Sequence, residues 1–409
     1  MFLQHVPFPA TTGGGSGGQF VAVERFLVSA PVGTNTVDLV IPGVAWTPGG
    51  ARFTMLPVNR NESPTRKDDA ELDSIYNASA SMGFYDGTNQ VCAASTNQNT
   101  FRQRFLYNDR CVAVLGTTIR MNATALIPGG VRVQVEGVTN GQYGVYVLVE
   151  IFNGNVACGV LPRTAAASPT IGFEADAVFT MFNDRTAGGA SSSLIQFRYG
   201  LASHSGGVIR QASVIDYLTG QIALDGKTHN DALIADYDTT QTTRLTAVSP
   251  TSITLTPSVT GRANDFGWMA VGFGGAAKAY LGIYDAPTVT GMASLTGADF
   301  TPEYASILTS RSTLWNTNQT QGQANAISVG AATPEREYSM FIGNWDSEAL
   351  PEPADRDINI SSDKVIYTFD TTQQFPAIAT LAGFTETGLE LDCAAAAPGK
   401  LLALMIGPA

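Results

Sequence analysis

Four cysteines, three histidines and 14% charged side chains in 409 residues leave this sequence short of the groups on which most catalytic and metal chemistry depends. Cys92, Cys111, Cys158 and Cys393 share no recurrent spacing. They make neither a zinc ligand set nor a disulfide framework, and buried free thiols are expected. His5, His204 and His229 stand apart from any His or Cys cluster, and no metal or other cofactor is expected. Outside the linker-like Thr11 to Gly18, Gly-x-Ser-x-Gly, Walker-type and supported dinucleotide-binding glycine patterns are absent, which argues against an esterase-type triad and against nucleotide chemistry. Basic residues are scarce as well: 23 Lys and Arg stand against 35 Asp and Glu, and no basic run exceeds Arg66-Lys67. Phosphate backbones need clustered cations, so a nucleic-acid partner is excluded. The longest apolar stretches, such as Val145 to Ile151, fall far below the roughly 18 residues of a helical membrane span. The opening residues lack the basic and apolar regions of a secretory leader, which predicts assembly in a cytoplasm.

What the sequence does contain is a repeat. Asn108 to Ala113 returns as Asn230 to Ala235, and Thr124 to Pro128 returns at the same offset as Thr246 to Pro250. At a second offset, Gly43-Val44-Ala45-Trp46-Thr47-Pro48 returns as Gly297-Ala298-Asp299-Phe300-Thr301-Pro302, and Asp109 returns as Asp363. Three tandem modules of roughly 125 residues follow, each the size of a domain with its own core.

Within each module the pattern is of strands. Val131 to Val135, Ile253 to Thr256 and Leu389 to Asp392 alternate apolar and polar residues with period two. Tyr143 to Val149, Phe266 to Val271 and Gly399 to Ile406 are apolar on both faces, as in the middle of a sandwich. Asp86-Gly87 and Gly206-Gly207 supply hairpin turns, and the best helical segment, Ala70 to Tyr76, is at most two turns long. The expected fold is all-β: three tandem antiparallel β-sandwich, jelly-roll-like modules after an extended N-terminal arm. The expected boundaries are 1–35 for the glycine-rich arm, 36–164, 165–291 and 292–409. In the arm, Phe2, Leu3, His5 and Phe8 are the candidate anchoring residues, preceding the linker-like Thr11 to Gly18.

Candidate chemistry is sparse. Asp68-Asp69, Asp236 with Asp238 and Asp355 with Asp357 could be the paired carboxylates of a polysaccharide-cleaving enzyme, but their polar settings read more simply as solvated loops. Asp109, Asp231 and Asp363 each precede a strand, where a carboxylate can take backbone N–H groups and fix a turn. Two loop tryptophans unmatched in the other modules, in Trp315-Asn316 and Trp345-Asp346, are the candidate glycan contacts. Flat aromatic faces stack on sugar rings while Asn and Asp read hydroxyls; packing against a neighbour is the plainer reading.

Gly-x-x-aromatic-Thr-Pro at 43–48 and 297–302, a Ser-x-Gly turn at Ser81-Met82-Gly83 and Ser328-Val329-Gly330, and Asn or Ser with Asp before an apolar strand together resemble the repeat modules of tailed-bacteriophage virion proteins. The segment Phe26 to Pro48 resembles the start of such a module, and module two departs with Ile171-Gly172-Phe173-Glu174. The resemblance implies a non-enzymatic structural protein of the virion, a tail fibre, spike or tail-tip component used in host attachment. A capsid decoration or head-fibre protein is the alternative, and a depolymerase a more distant one. It implies other virion proteins as partners through the arm, host surface glycan as a further partner, and a homo-oligomer, a trimer foremost.

Overall fold

In the computed structural model the described residues form strands and no helix. They run from 19 to 409 with breaks at 30–32, 60–78, 99–100, 115–118, 138–142, 186–189, 192–193, 220–222, 236–240, 261–263, 311, 313, 318, 321–323, 346–354, 362, 368–376 and 396–398. Module one comprises β1 (Val21–Ser29), β2 (Thr34–Val40), β3 (Gly50–Asn59), β4 (Ser79–Tyr85), β5 (Gln90–Gln98), β6 (Phe101–Tyr107), β7 (Val112–Ala113), β8 (Arg120–Ile127), β9 (Gly130–Glu136) and β10 (Tyr143–Phe152). Module two comprises β11 (Asn155–Pro162), β12 (Ala177–Arg185), β13 (Ala190–Ser191), β14 (Leu194–Ser205), β15 (Val208–Thr219), β16 (Ala223–His229), β17 (Ile234–Ala235), β18 (Thr242–Val248), β19 (Ile253–Pro257) and β20 (Asp265–Gly272). Module three comprises β21 (Ala277–Asp285), β22 (Gly291–Thr296), β23 (Tyr304–Ser310), β24 (Gln319–Thr320), β25 (Ala324–Thr333), β26 (Arg336–Trp345), β27 (Asp355–Ser361), β28 (Ile366–Tyr367), β29 (Ala377–Thr385), β30 (Gly388–Cys393) and β31 (Lys400–Pro408).

Each module has a large sheet and a small one, and all the strand pairings are antiparallel. The large sheets share one order: β1-β10-β3-β4-β5-β6, β11-β20-β12-β14-β15-β16 and β21-β31-β23-β25-β26-β27. The first two are extended by a short strand of the following module, β13 on β6 and β24 on β16. The small sheets are β2-β9-β8-β7, β17-β18-β19 and β22-β30-β29-β28. In module two the place of a first small-sheet strand is held by the single bridges Ala167 to Leu255 and Thr170 to Ser252. The period-two segments lie in β9, β19 and β30, with one face buried and the other open to solvent. The sandwich reading therefore holds for the sheets of all three modules.

Why β10, β20 and β31 are apolar on both faces becomes clear from what each face meets. One face packs inside the module's own sandwich: Phe53, Val131 and Val147 in module one, Phe182, Leu255 and Trp268 in module two, Ile307, Leu391 and Leu401 in module three. The other face enters a single cluster that draws on all three modules, including Leu148, Met269 and Leu404. The modules are not a string of beads with independent cores. Their large sheets pack on one another around a common centre, and at roughly 25 cal/mol per Å² of apolar surface that shared burial is a large part of what holds the chain together.

Strand pairing also moves the joins. Asn155–Pro162 pairs with β20, and so belongs to module two although 36–164 was expected to be module one. Ala277–Asp285 pairs with β31 and belongs to module three, ahead of the expected join at 291. Val21–Ser29 pairs with β10 along its whole length, so the expected arm, 1–35, contains the first strand of module one. The pattern missed these strands because each starts a module by running back along the last strand of its sheet. Ser81-Met82-Gly83 and Ser328-Val329-Gly330 are not turns: both lie inside strands, as does Gly200. At these three equivalent positions the carbonyl of Cys111, Leu233 or Val365 sits 1.9 Å from where a Cβ would be. Glycine is required there for close backbone approach as the chain crosses to the small sheet.

Candidate functional site

The third residues of β3, β12 and β23 are Arg52, Phe179 and Ser306, and all three point to the common centre. Arg52 is 1% exposed, and Glu150 opposite it on β10 is 0% exposed. The guanidinium donates through Nε and Nη2 to the two carboxylate oxygens, the Nη2 bond to Oε1 being 2.6 Å. Nη2 also donates to Ser306 Oγ at 2.7 Å, and the guanidinium carbon lies 4.8 Å from the centre of the Phe179 ring. Tyr304 donates its hydroxyl to Glu150 Oε1. One ion pair thus touches all three modules. Phe152 adds ring contacts at 5.7 Å to Phe179 and 6.4 Å to Tyr304.

The electrostatics of this centre favour one protonation state. Burial disfavours the Arg52 charge, yet the Glu150 carboxylate overcomes it and holds the Arg52 pKa above its ordinary value. Burial and the same carboxylate push the Tyr304 phenol well up, so it stays protonated and donates. A buried charge is tolerable only when paired and hydrogen-bonded on all sides, and here the bonds come from separate modules.

Around the centre, each module leans on the next at its β-hairpin between the fourth and fifth strands of the large sheet. From module one to two, Cys158 donates its backbone N–H to Asp86 Oδ2 at 3.0 Å and its thiol to the Asn89 carbonyl at 3.2 Å. From two to three, Leu281 donates its N–H to Ser203 Oγ at 2.9 Å, and Arg210 lies over the Tyr280 ring at 4.8 Å. From three back to one, Arg336 Nη1 donates to Glu24 Oε2 at 2.6 Å and Tyr338 donates to Glu24 Oε1 at 2.5 Å. Arg336 Nη2 also donates to the Pro42 carbonyl at 3.1 Å. The contacts run one to two, two to three and three to one, so the modules close a ring.

The candidate glycan residues fall partly within that ring. Trp315 forms a parallel bridge with Thr228 of module two, packs against the shared core, and has Lys400 Nζ 5.2 Å from its ring centre. Asn316, at φ 60°, accepts the Asn230 N–H on its side chain at 3.1 Å and donates its amide to Asn230 Oδ1 at 2.8 Å. Both residues join modules two and three. Trp345 ends β26 opposite Asp355, its side chain lying outside the described residues together with Asp346. Also outside them are Phe2, Leu3, His5, Phe8, the segment Ala70 to Tyr76, Asp68-Asp69 and Asp236 with Asp238. The side chains of Asp355 and Asp357 are not described either.

Asp109, Asp231 and Asp363 hold their turns through cations more than through backbone amides. Asp109 binds the Arg110 guanidinium at 2.7 Å, Asp231 binds Arg244 at 2.9 Å, and Asp363 binds Lys364 at 3.0 Å. Arg110 pulls the Asp109 carboxyl below its ordinary pKa. The four thiols are free and buried, and burial pushes the Cys92 pKa up to about 12. Among the described residues no group of three His, Cys, Asp or Glu could hold a metal ion, and no helix is long and apolar enough to cross a membrane. Sequence reasoning missed Arg52, Glu150, Glu24 and Arg336. Arg52, Glu150 and Arg336 show in the sequence only as a charge on a face that a lone sandwich would leave to solvent, while Glu24 shares the inward face of Ala22 and Phe26.

Compared with known proteins, the chain matches no family model and no curated protein. Among solved structures, a BenF-like porin from Pseudomonas fluorescens Pf-5 aligns at 9% identity over 88% of this chain and 98% of its own, with a TM-score of 0.11. The outer-membrane OmpT of Vibrio cholerae aligns at 8% identity over 93% and 100%, with a TM-score of 0.10.

Proposed function

We propose that this protein is a non-enzymatic structural component of a bacteriophage virion, a tail fibre, spike or tail-tip protein that presents its loops for attachment to the host surface. The observation that carries the reading is the ring. Three sandwiches whose inner faces are spent on one another, keyed by a buried ion pair, make a stiff body whose outer loops are free to vary. Among the buried charges, Arg52, Glu150 and Glu24 serve cohesion between modules. The repeat motifs that resemble virion modules support the same reading, as do the four sequestered thiols, which suit a protein assembled in a reducing cytoplasm before exposure outside the cell. Decoration of the head is the second placement.

The test is mass spectrometry and labelled-antibody electron microscopy of purified particles from the source phage. Label at the tail supports attachment and label over the head moves the protein to the capsid. Absence from washed particles sinks the virion reading. Incubation with host capsular polysaccharide followed by sizing of the sugar checks the depolymerase alternative, with no shortening expected.

A further inference from the structure

We propose that the cleft between the β14–β15 hairpin and β21 binds a carboxylate carried on a ring the size of one sugar. The cleft has a volume of 190 Å³ and is lined by Ser203, Ser205, Arg210, Tyr280, Gly297 and Asp299. Arg210 rests over the Tyr280 ring, and among the described residues its guanidinium has no hydrogen-bond acceptor. A planar guanidinium stacked on an aromatic ring with its donors unspent is the group that best matches a carboxylate.

The ring itself supplies the second observation. In the third junction the hairpin of module three delivers Arg336 and Tyr338 to a carboxylate, Glu24, on the first strand of module one. The closing hairpin pairs are Ser205 with Val208 and Thr333 with Arg336, so Arg210 stands at the register position of Tyr338. At the junction of modules two and three the hairpin again carries an arginine, and the first strand, AKAYLGIYD, offers no carboxylate until Asp285 at its end. One junction is completed by its own glutamate; at the other the register position of Glu24 is held by Gly282, and the cleft opens two residues before it, at Tyr280.

Asp299 shapes the rest of the preference. Lys278 Nζ lies 3.1 Å from Asp299 Oδ2, which offsets the negative charge that would otherwise repel an acid. The remaining oxygen of Asp299 and the hydroxyl of Ser205 can take up ring hydroxyls, so the cleft fits an acidic sugar better than a bare acid. This deepens the attachment reading and rests on it only for the source of the sugar: a free acid, or an acidic residue of a surface polysaccharide.

Calorimetric and saturation-transfer NMR titrations of the full chain with sodium glucuronate, glucose and acetate test it. Glucuronate is expected to bind at least tenfold more tightly than either of the others. Arg210→Met should weaken it at least tenfold while the protein stays folded by circular dichroism, and Arg210→Lys should fall between. No saturable binding of glucuronate, or binding indifferent to Arg210→Met, overturns the proposal; acetate binding as tightly as glucuronate overturns the assignment of a ring. A host acidic polysaccharide competing with glucuronate identifies the surface as the source, whereas binding of glucuronate alone leaves the free acid. Particle localisation is an independent measurement, so a chain that binds glucuronate but is missing from particles loses the virion reading and keeps the site.

Discussion

Arg52 carries more than its single charge, because its hydrogen bonds and ring contact come from all three modules. Removing one partner of a buried ion pair typically costs about 3–5 kcal/mol, while replacing both by apolar groups is close to neutral. Arg52→Met is therefore expected to lower the unfolding free energy by about that amount, and Arg52→Met with Glu150→Leu to recover most of it, as read from urea unfolding. A double variant as unstable as the single one would show that the loss is packing alone. Gly200 makes a second expectation at this scale: its missing Cβ would lie 1.9 Å from the Leu233 carbonyl and 2.3 Å from Thr180 Oγ1. Gly200→Ala should cost roughly 2–4 kcal/mol in the same assay, since backbone must move to admit a methyl group. A third follows from His229, whose Nδ1 lies 2.8 Å from Asp231 and whose pKa burial lowers to about 4. The unfolded chain takes up the proton first, near pH 6.5, so stability should fall as pH drops from there to about 4 and level off below. His229→Gln should flatten that part of the pH profile in melts from pH 7 to 4; an unchanged slope would exclude His229 as its source. None of these roles was legible from the residues themselves. Arg52 sits in Ala51-Arg52-Phe53-Thr54-Met55, an alternating strand in which a charge reads as a solvent position, and only a second sheet arriving from outside the module turns that position inward.

Elements were far more legible than side-chain roles. The alternation in β9, β19 and β30 and the continuous apolar runs of β10, β20 and β31 follow from the side-chain period of two, which any strand must obey whatever it packs against. Strands that open a module were hidden. Val21–Ser29 follows the glycine-rich segment and Asn155–Pro162 precedes the alanine-rich segment from 164 to 167, so neighbouring composition outweighed the strand signal. The Ser-x-Gly pattern misled for a related reason: glycine marks both turns and close approach, and only the crossing chain at Cys111, Leu233 and Val365 tells them apart. The junction of modules three and one is the one at which no chain connection accompanies the contact, so β1 depends on Glu24, Arg336 and Tyr338. Glu24→Gln is expected to loosen that strand by about 2 kcal/mol. Amide hydrogen exchange across Val21–Ser29 should then speed up by one to two orders of magnitude while β18 and β19 keep their protection. Equal acceleration in both places would mean that the seam is not a separate weak point.

For the whole molecule, the shared centre predicts that the three modules melt together. A calorimetric scan should show one transition with matching calorimetric and van't Hoff enthalpies, because separating any module strips cover from the Arg52–Glu150 pair; three resolved transitions would show that the sandwiches stand alone. The inner faces are already buried within one chain, so the homotrimer that the resemblance implies needs other contacts, and light scattering of the purified protein distinguishes 43.0 kDa from three times that mass. The repeat foretold three similar sheets, since copied sequence carries copied backbone. It could not foretell the ring, because that depends on positions where the copies differ. Three identical subunits meeting on an axis must bring three identical residues together, and an arginine there would face two more arginines. Joining the copies end to end lifts that constraint. Arginine, phenylalanine and serine can then occupy the same place around one centre, which gives each module an address: moved to another position in the chain, it would bring the wrong neighbour to a buried charge.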